Sequence, residues 1–438
     1  MRESFIATKQ GVELVDARRI QKGWSRKSPA FADKAMVGIT TLVRFWGRKH
    51  RLGRDSIIGI FAAVGIQDWQ EYVEPNAAEP PTADGLTSSL GSNLPLPRLP
   101  DNLPNYAPFF GRVTDLRQLE QYVLPQQAVL QTQEPLQTRY QVINCWGLGG
   151  IGKSALAVRL ARQLSSEFEG VIWRSMQAPP ALNEFLADLL NELTDELSET
   201  VSSRLLTDLT EQLQQRRLLL IFDGWEVFFG GGSAGVYQDS FRDYQRLLSH
   251  LWQHSHQSCV LVTSRERLAD ASLLGGSVVS YPVRALEPEA AFQLLRHKGL
   301  TRFAPEEGAQ LIQACGGNPL ALQLSASRIR DHFNGNITDF LEQEPGLIDK
   351  SMRSILDQQT RLLSPLELQI LVALAQDVEP VDRKALAARL TQPCSTTDLL
   401  NGLSSLERRS LVERITDLGA TLYGLQPLVR AYTQQYLS

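Results

Sequence analysis

The sequence runs to 438 residues with a formal net charge of −4, 43% hydrophobic and 21% charged residues, the balance of an ordinary soluble chain with room for roughly two to four domains. No apolar run is long enough to cross a bilayer and the N-terminus lacks a secretory core, which excludes a membrane-embedded or signal-led reading and favours a cytoplasmic protein. Cys145, Cys259, Cys315 and Cys394 stand far apart, without the paired spacing of a zinc site or a disulfide framework, so buried free thiols are expected.

Charge is unevenly spread. Residues 1–70 hold 13 Lys/Arg against 6 Asp/Glu, a basic head on an acidic remainder, and such asymmetry hints at a polyanion partner. Within the head, Gly11 to Lys22 reads as a helix with Val12, Val15 and Ile20 on one side. Pro29 to Met36 is a second, short helix. Thr40 caps a third, whose apolar face carries Leu42, Phe45 and Trp46 while Thr41, Arg44, Arg48 and Arg51 recur opposite. Asp55 caps an apolar helix that stops at Gly65, and Asp68-Trp69 opens a last turn. Short helices with a tight turn before a basic helix resemble a helix-turn-helix, so residues 1–74 read as an all-α module. Its arginine stripe either meets DNA phosphates and guanines or is a solvated face on a protein-interaction module.

Residues 75–107 read as a linker, since prolines 75, 80, 81, 95, 97, 100 and 104 with interspersed Gly, Ser and Asn cannot bury a core. From Pro108 the chain alternates strands and helices. Tyr140 to Cys145 is a buried strand, and Gly147-x4-Gly152-Lys153-Ser154 directly after it fits the P-loop pattern, with a helix from Ala155 to Leu164. Glycines there let successive N–H groups turn inward, Lys153 can reach β/γ-phosphates, and the Ser154 hydroxyl can ligate Mg2+.

Further strands follow at 168–174, 218–223, 259–263 and 278–283. Leu218 to Asp223 is an apolar strand ending in an acid, the form of a Walker B strand, and Asp223 can hold the Mg2+ shell opposite Ser154. Glu226, three residues on, either orients or deprotonates an attacking water or is a surface loop glutamate. Arg265, just past the 259–263 strand, either reads a γ-phosphate or is a plain surface arginine. The alternation implies an α/β P-loop NTPase with a mostly parallel sheet, ligand at the strands' carboxyl ends, and a domain spanning 108–284.

The P-loop, the Leu218–Asp223 strand, Val262-Thr-Ser-Arg265 and Gly317-Asn-Pro319-Leu-Ala-Leu322 occur in that order. Together they resemble the NB-ARC nucleotide-binding module of the STAND (AP-ATPase) class of signal-transduction ATPases, over about residues 104 to 438. The resemblance implies that ATP or ADP with Mg2+ is cradled by Gly147, Gly149, Gly150, Ile151, Gly152, Lys153, Ser154 and Ala155. It also implies that Phe110, Gly111 and Arg112 border the adenine, that Pro319 packs on the base and that Arg265 is the sensor arginine. Lys153, Asp223, Glu226 and Arg265 would then carry any slow hydrolysis. A helical subdomain at 285–350 and a winged helix at 351–438 are expected to follow. The capping box Ser364-Pro-Leu-Glu367 and the hairpin about Asp417-Leu-Gly419 agree with this. Gln426 stands where the family has a histidine that holds ADP, and Gly224 stands where many relatives have a second acid.

What the resemblance implies for function is an ATP/ADP switch, closed with ADP and self-associating with ATP, with residues 1–74 as effector. Two alternatives stay open: a transcriptional regulator with a structural nucleotide, and an adaptor subunit of a split defence or stress complex. Relatives usually continue into sensor repeats where this sequence ends, so a separate sensor or effector protein, or a reduced form, is expected.

Overall fold

The computed structural model describes residues 4–437 apart from 26–27, 36, 38–40, 43–44, 47–51, 67–68, 75–98, 125–139, 195–203, 269–276, 344–347 and 418. The chain forms two compact units, Met1–Asn93 and Leu94–Ser438.

In the first unit the helices α1 (Lys9–Gln21), α2 (Pro29–Lys34) and α3 (Arg54–Ala63) enclose an apolar centre that includes Val15, Phe31, Phe45, Ile57 and Phe61. Thr8 caps α1 by accepting from the Gly11 N–H at 3.1 Å, one of the orphan donors of the first turn. Residues 41–42 and 45–46 are helical, as their apolar spacing predicts. Besides these helices the unit carries a small antiparallel sheet, in which β1 (Ser4–Ala7) lies between β2 (Leu52–Gly53) and β3 (Val73–Glu74). Strands this short offer no alternation for sequence periodicity to detect. Thr41 falls on a described, half-buried helical position, whereas Arg44, Arg48 and Arg51 lie outside the described residues.

The second unit opens with a strap, residues 99–110, and α4 (Val113–Val123). The strap's proline content reads as linker, yet Leu103 packs on the sheet's core and the Asn102 side-chain amide donates to the Trp173 carbonyl at 3.2 Å. Five parallel strands follow: β4 (Val142–Trp146), β5 (Gly170–Ser175), β6 (Leu218–Asp223), β7 (Cys259–Ser264) and β8 (Val278–Pro282), ordered β5-β6-β7-β4-β8. Every residue of β6 and β7 is buried, because parallel crossovers place helices on both faces. Successive side chains alternate between those faces. Ile143, Cys145, Leu219, Ile221 and Leu261 meet α4 and α5 (Lys153–Gln163), while Leu218, Leu220, Phe222, Val260 and Val262 meet α6 (Leu182–Leu193), α7 (Leu205–Gln215) and α8 (Arg242–Gln253).

Beyond the sheet lie α9 (Pro288–His297), α10 (Pro305–Ala314), α11 (Pro319–His332), α12 (Ile337–Gln343), α13 (Lys350–Thr360) and α14 (Pro365–Ala375). Then come β9 (Val381–Asp382), α15 (Arg383–Arg389), α16 (Thr396–Arg408), the hairpin β10 (Glu413–Asp417) and β11 (Ala420–Gly424), and α17 (Pro427–Tyr436). The sheet order β10-β11-β9 under α14–α16 is the layout of a winged helix. The capping box forms as expected: Ser364 Oγ accepts from the Glu367 N–H at 3.3 Å and Glu367 Oε2 from the Ser364 N–H at 2.7 Å. One buried cluster runs from Leu286 to Tyr432 and also takes in Leu148 of the P-loop. All four cysteines are free.

Candidate functional site

β4, β7 and β6 lie side by side, and their register pairs Trp146 with Ser264 and Thr263 with Asp223. Three loops therefore leave the sheet's carboxyl edge at one level, bringing the P-loop, Arg265 and Asp223 together. In the P-loop, Gly150 (φ 78°) and Gly152 (φ 99°) adopt the left-handed region that L side chains avoid. Lys153 begins α5, whose first-turn N–H groups have no partners inside the helix and whose dipole favours an anion there.

Two cavities meet at Gly150, Lys153 and Ser154. The first, of about 490 Å³, is lined by residues 105–110, Arg112, residues 150–155, Leu286, Leu294, His297 and Pro319, among others. It is a mostly apolar pocket with a helix N-terminus at its floor, the shape and chemistry of a small-molecule site. Phe110 faces the His297 ring at 5.6 Å between centroids. Arg112 is no wall ornament: its Nη2 donates to the Ile151 carbonyl and its Nη1 to the Arg284 carbonyl, both at 2.7 Å. This guanidinium ties the P-loop to the segment after β8.

The second cavity, of about 670 Å³, is lined by Gly149, Gly150, Lys153, Ser154, Asp223, Glu226, Thr263 and Arg265, with Gln177, Gln238, Gln358 and Gln359 beside them. Ser154 Oγ and Thr263 Oγ1 both donate to Asp223 Oδ1 at 2.6 Å. Burial raises the Asp223 carboxyl, against the opposing pull of those two hydroxyls. Lys153 Nζ donates to the carbonyls of Gly147 at 2.9 Å and Leu148 at 3.1 Å. Burial lowers its ammonium to about 8, with Glu226 the largest opposing influence. Among the described residues no group of three His, Cys, Asp or Glu side chains is arranged to hold a metal. A cation here would rest on Ser154, Asp223 and ligand oxygens, the hard, water-rich shell that suits Mg2+. The nest, the ammonium and the hydroxyl–carboxylate pair together fit a Mg2+–nucleotide.

Arg265 touches both sides of the second cavity. Its Nε meets Glu226 Oε1 at 2.9 Å and its backbone N–H donates to Glu226 Oε2 at 3.2 Å. Its Nη1 donates across to α13, to Gln358 Oε1 at 3.1 Å and the Ile355 carbonyl at 3.4 Å. Gly149 faces the same helix, and a Cβ there would stand 2.2 Å from Ile355 Cγ2. Gly111 packs on Ala290, and Gly147 approaches the Val283 carbonyl. Gln426 lines neither cavity; its Nε2 donates to Glu413 Oε1 at 3.0 Å.

Sequence reasoning missed Asn318 and Tyr106. Asn318 Nδ2 donates to the Gly149 carbonyl at 3.0 Å, while its Oδ1 accepts from the N–H groups of Leu320 and Ala321 and so caps α11. Its place inside Gly317-Asn-Pro319 was the available signal. Tyr106 reaches the first cavity from the strap, beside Ser154, and nothing in its proline-rich surroundings marks it.

A model of the NB-ARC domain matches residues 126–304, the span that carries the P-loop, Asp223 and Arg265. The chain carries an NB-ARC domain over that span. The NB-ARC domain is accompanied by similarity over a longer stretch. An uncharacterized WD repeat-containing protein of Nostoc sp. is 30% identical across 98% of this chain and 36% of its own length. The regulatory protein AfsR of Streptomyces coelicolor is 27% identical across 62% of this chain and 26% of its own length. The chain thus spans about a third or less of the length of these curated relatives. A STAND protein of Pyrococcus horikoshii with a tetratricopeptide repeat sensor aligns in structure with a TM-score of 0.38 and 19% identity, covering 76% of this chain and 43% of that one. Among the described residues no helix is long and apolar enough to cross a membrane.

Proposed function

We propose that the chain is an ATP/ADP-controlled signalling switch, in which the terminal phosphate decides whether α13 and the winged helix stay docked on the nucleotide domain. The observation that carries this reading is the dual engagement of Arg265, on Glu226 at 2.9 Å and on Gln358 of α13 at 3.1 Å. Bound Mg2+–ATP supplies a charged terminal phosphate and an anhydride bond open to slow hydrolysis.

Lys153 and the P-loop N–H groups hold the phosphates, Ser154 and Asp223 hold the metal, and Phe110 and Pro319 flank the base. A phosphate oxygen competes better for a guanidinium than a neutral amide and a backbone carbonyl do, because charge-assisted hydrogen bonds are roughly twice as strong. Arg265 turning its Nη1 to that oxygen would give up α13, while Glu226, still held by the Arg265 backbone N–H, would stand close enough to orient a water. With ADP, Arg265 stays on α13. The two nucleotides then differ in contacts between the two arrangements, which a switch requires. The undocked form self-associates, and the basic N-terminal unit acts as effector on DNA, through the stripe of Thr41, Arg44, Arg48 and Arg51, or on a protein partner.

Gel filtration of the purified chain with Mg2+–ADP and with a non-hydrolysable ATP analogue tests the reading. A larger hydrodynamic size with the analogue is expected; identical elution with both would leave the nucleotide a structural fixture and overturn it.

A further inference from the structure

The segment that carries Arg265 is gripped from the C-terminal side by the turn after α16. Ser410 Oγ donates to the Arg265 carbonyl at 3.2 Å, and the Arg267 N–H donates to the Arg408 carbonyl at 2.8 Å. Between them, the Arg409 guanidinium is 1% exposed and stands 3.4 Å from Glu266 and 4.0 Å from Glu367. Its Nη2 donates to the Gly232 carbonyl at 2.7 Å, in the glycine loop after β6. Glu266 in turn accepts from the Gly235 N–H at 3.0 Å, and the Arg409 carbonyl accepts from Gln359 Nε2 at 3.1 Å. Residues on both sides of Arg265's neighbour Glu266 are thus pinned to one turn of the winged helix.

This network is costly for what it returns in stability. Arg409 Nε and Nη1 and Glu367 Oε1 are buried without a hydrogen-bond partner, and the two ion pairs are longer than a direct hydrogen bond. One cation faces two carboxylates in a low-dielectric setting, where a half-satisfied network gains less than apolar packing would. A buried charge retained on such terms is better explained by the geometry it enforces.

We infer that Arg409 is a positioning residue for Arg265: the seating of the α16 turn sets where the sensor guanidinium lies, so docking tunes the preference between nucleotides with and without a terminal phosphate. This rests on the switch reading of Arg265. Arg409 lines neither cavity itself; it acts through Glu266, which lines the second, and through the backbone of residues 265–267.

The test is the ratio of affinities for Mg2+–ADP and a non-hydrolysable Mg2+–ATP analogue, measured by calorimetry on the full chain. Arg409→Gln should move the parental ratio roughly tenfold toward unity, the size expected when a charge-assisted contact is lost, while ADP affinity itself changes little. Ser410→Ala, which removes only the bond to the Arg265 carbonyl, should move the ratio the same way by a smaller factor and serves if Arg409→Gln does not fold. Glu367→Gln touches the same guanidinium but not the sensor segment, and should leave the ratio unchanged. Arg265→Ala separates the two levels. If it leaves the ratio at the parental value, the switch reading fails. If Arg265→Ala abolishes the preference while Ser410→Ala and Arg409→Gln keep the parental ratio, the positioning role alone is overturned, as it also is if Glu367→Gln has the same effect as Arg409→Gln.

Discussion

Asn318→Ala is the perturbation whose size follows most directly from local geometry. The side chain is 1% exposed and does two things at once: it caps α11 and it holds the Gly149 carbonyl at 3.0 Å. Losing an N-cap costs about 1 kcal/mol. Leaving the buried Gly149 carbonyl without its donor costs about 1–3 kcal/mol more. The sum, about 2–4 kcal/mol, should appear as a lower urea midpoint with an unchanged slope, followed by tryptophan fluorescence. Because Gly149 belongs to the P-loop, part of the loss should also appear as weaker nucleotide binding. Asn318→Asp separates the contributions, since it keeps a good capping oxygen but loses the amide donor. A variant Asn318→Ala within about 0.5 kcal/mol of the parent, an amount ordinary for surface substitutions, would refute the latch.

Four further outcomes are expected. Ser154→Ala should abolish the dependence of nucleotide affinity on Mg2+ while Mg2+-free binding persists, read by titrating a fluorescent nucleotide with and without chelator. Gly149→Ala should lift α13 from the P-loop, because its methyl would stand 2.2 Å from Ile355 Cγ2, and gel filtration with ADP should show the expanded form; Ile355→Ala in the same chain should restore compactness. Burial raises the Glu266 carboxyl above its ordinary 4.5, with Arg409 pulling the other way. A carboxyl raised in the folded form binds its proton preferentially there, so its stabilising contribution is present on the acid side and fades as pH climbs from the ordinary value through the raised one. Glu266→Gln should flatten that part of the melting-temperature profile. Gln426→Ala should leave ADP affinity within about twofold, under 0.5 kcal/mol, because its amide is engaged by Glu413 away from both cavities.

What was legible in the sequence was local. Glycines at fixed offsets dictate the P-loop turn, an apolar run ending in Asp223 dictates a buried strand, and Ser364 with Glu367 dictates a capping box; each depends on residues within one turn or strand. The register that sets Asp223 beside Thr263, and hence a second hydroxyl on the carboxylate, follows only from strand order. Gln358, Arg409 and Asn318 act on partners 93, 143 and 169 residues away in sequence, and no periodicity encodes such docking. Glu367 was readable as a cap but not as a neighbour of Arg409. Prolines at 100 and 104 suggested a free tether, and Leu103 and Asn102 fix that stretch to the sheet instead. The sheet of the N-terminal unit escaped because its strands are two to four residues long.

The central claim is that the terminal phosphate moves the winged helix by recruiting Arg265. Its most direct test is a distance distribution between spin labels on Arg159→Cys of α5 and Leu400→Cys of α16, both exposed, with Cys394→Ser removing the one thiol that is not buried. The account predicts a single short population with Mg2+–ADP, a longer one with the ATP analogue, and no difference between the two nucleotides once Arg265 is changed to Ala. Identical distributions for both nucleotides in the chain with Arg265 intact would contradict it.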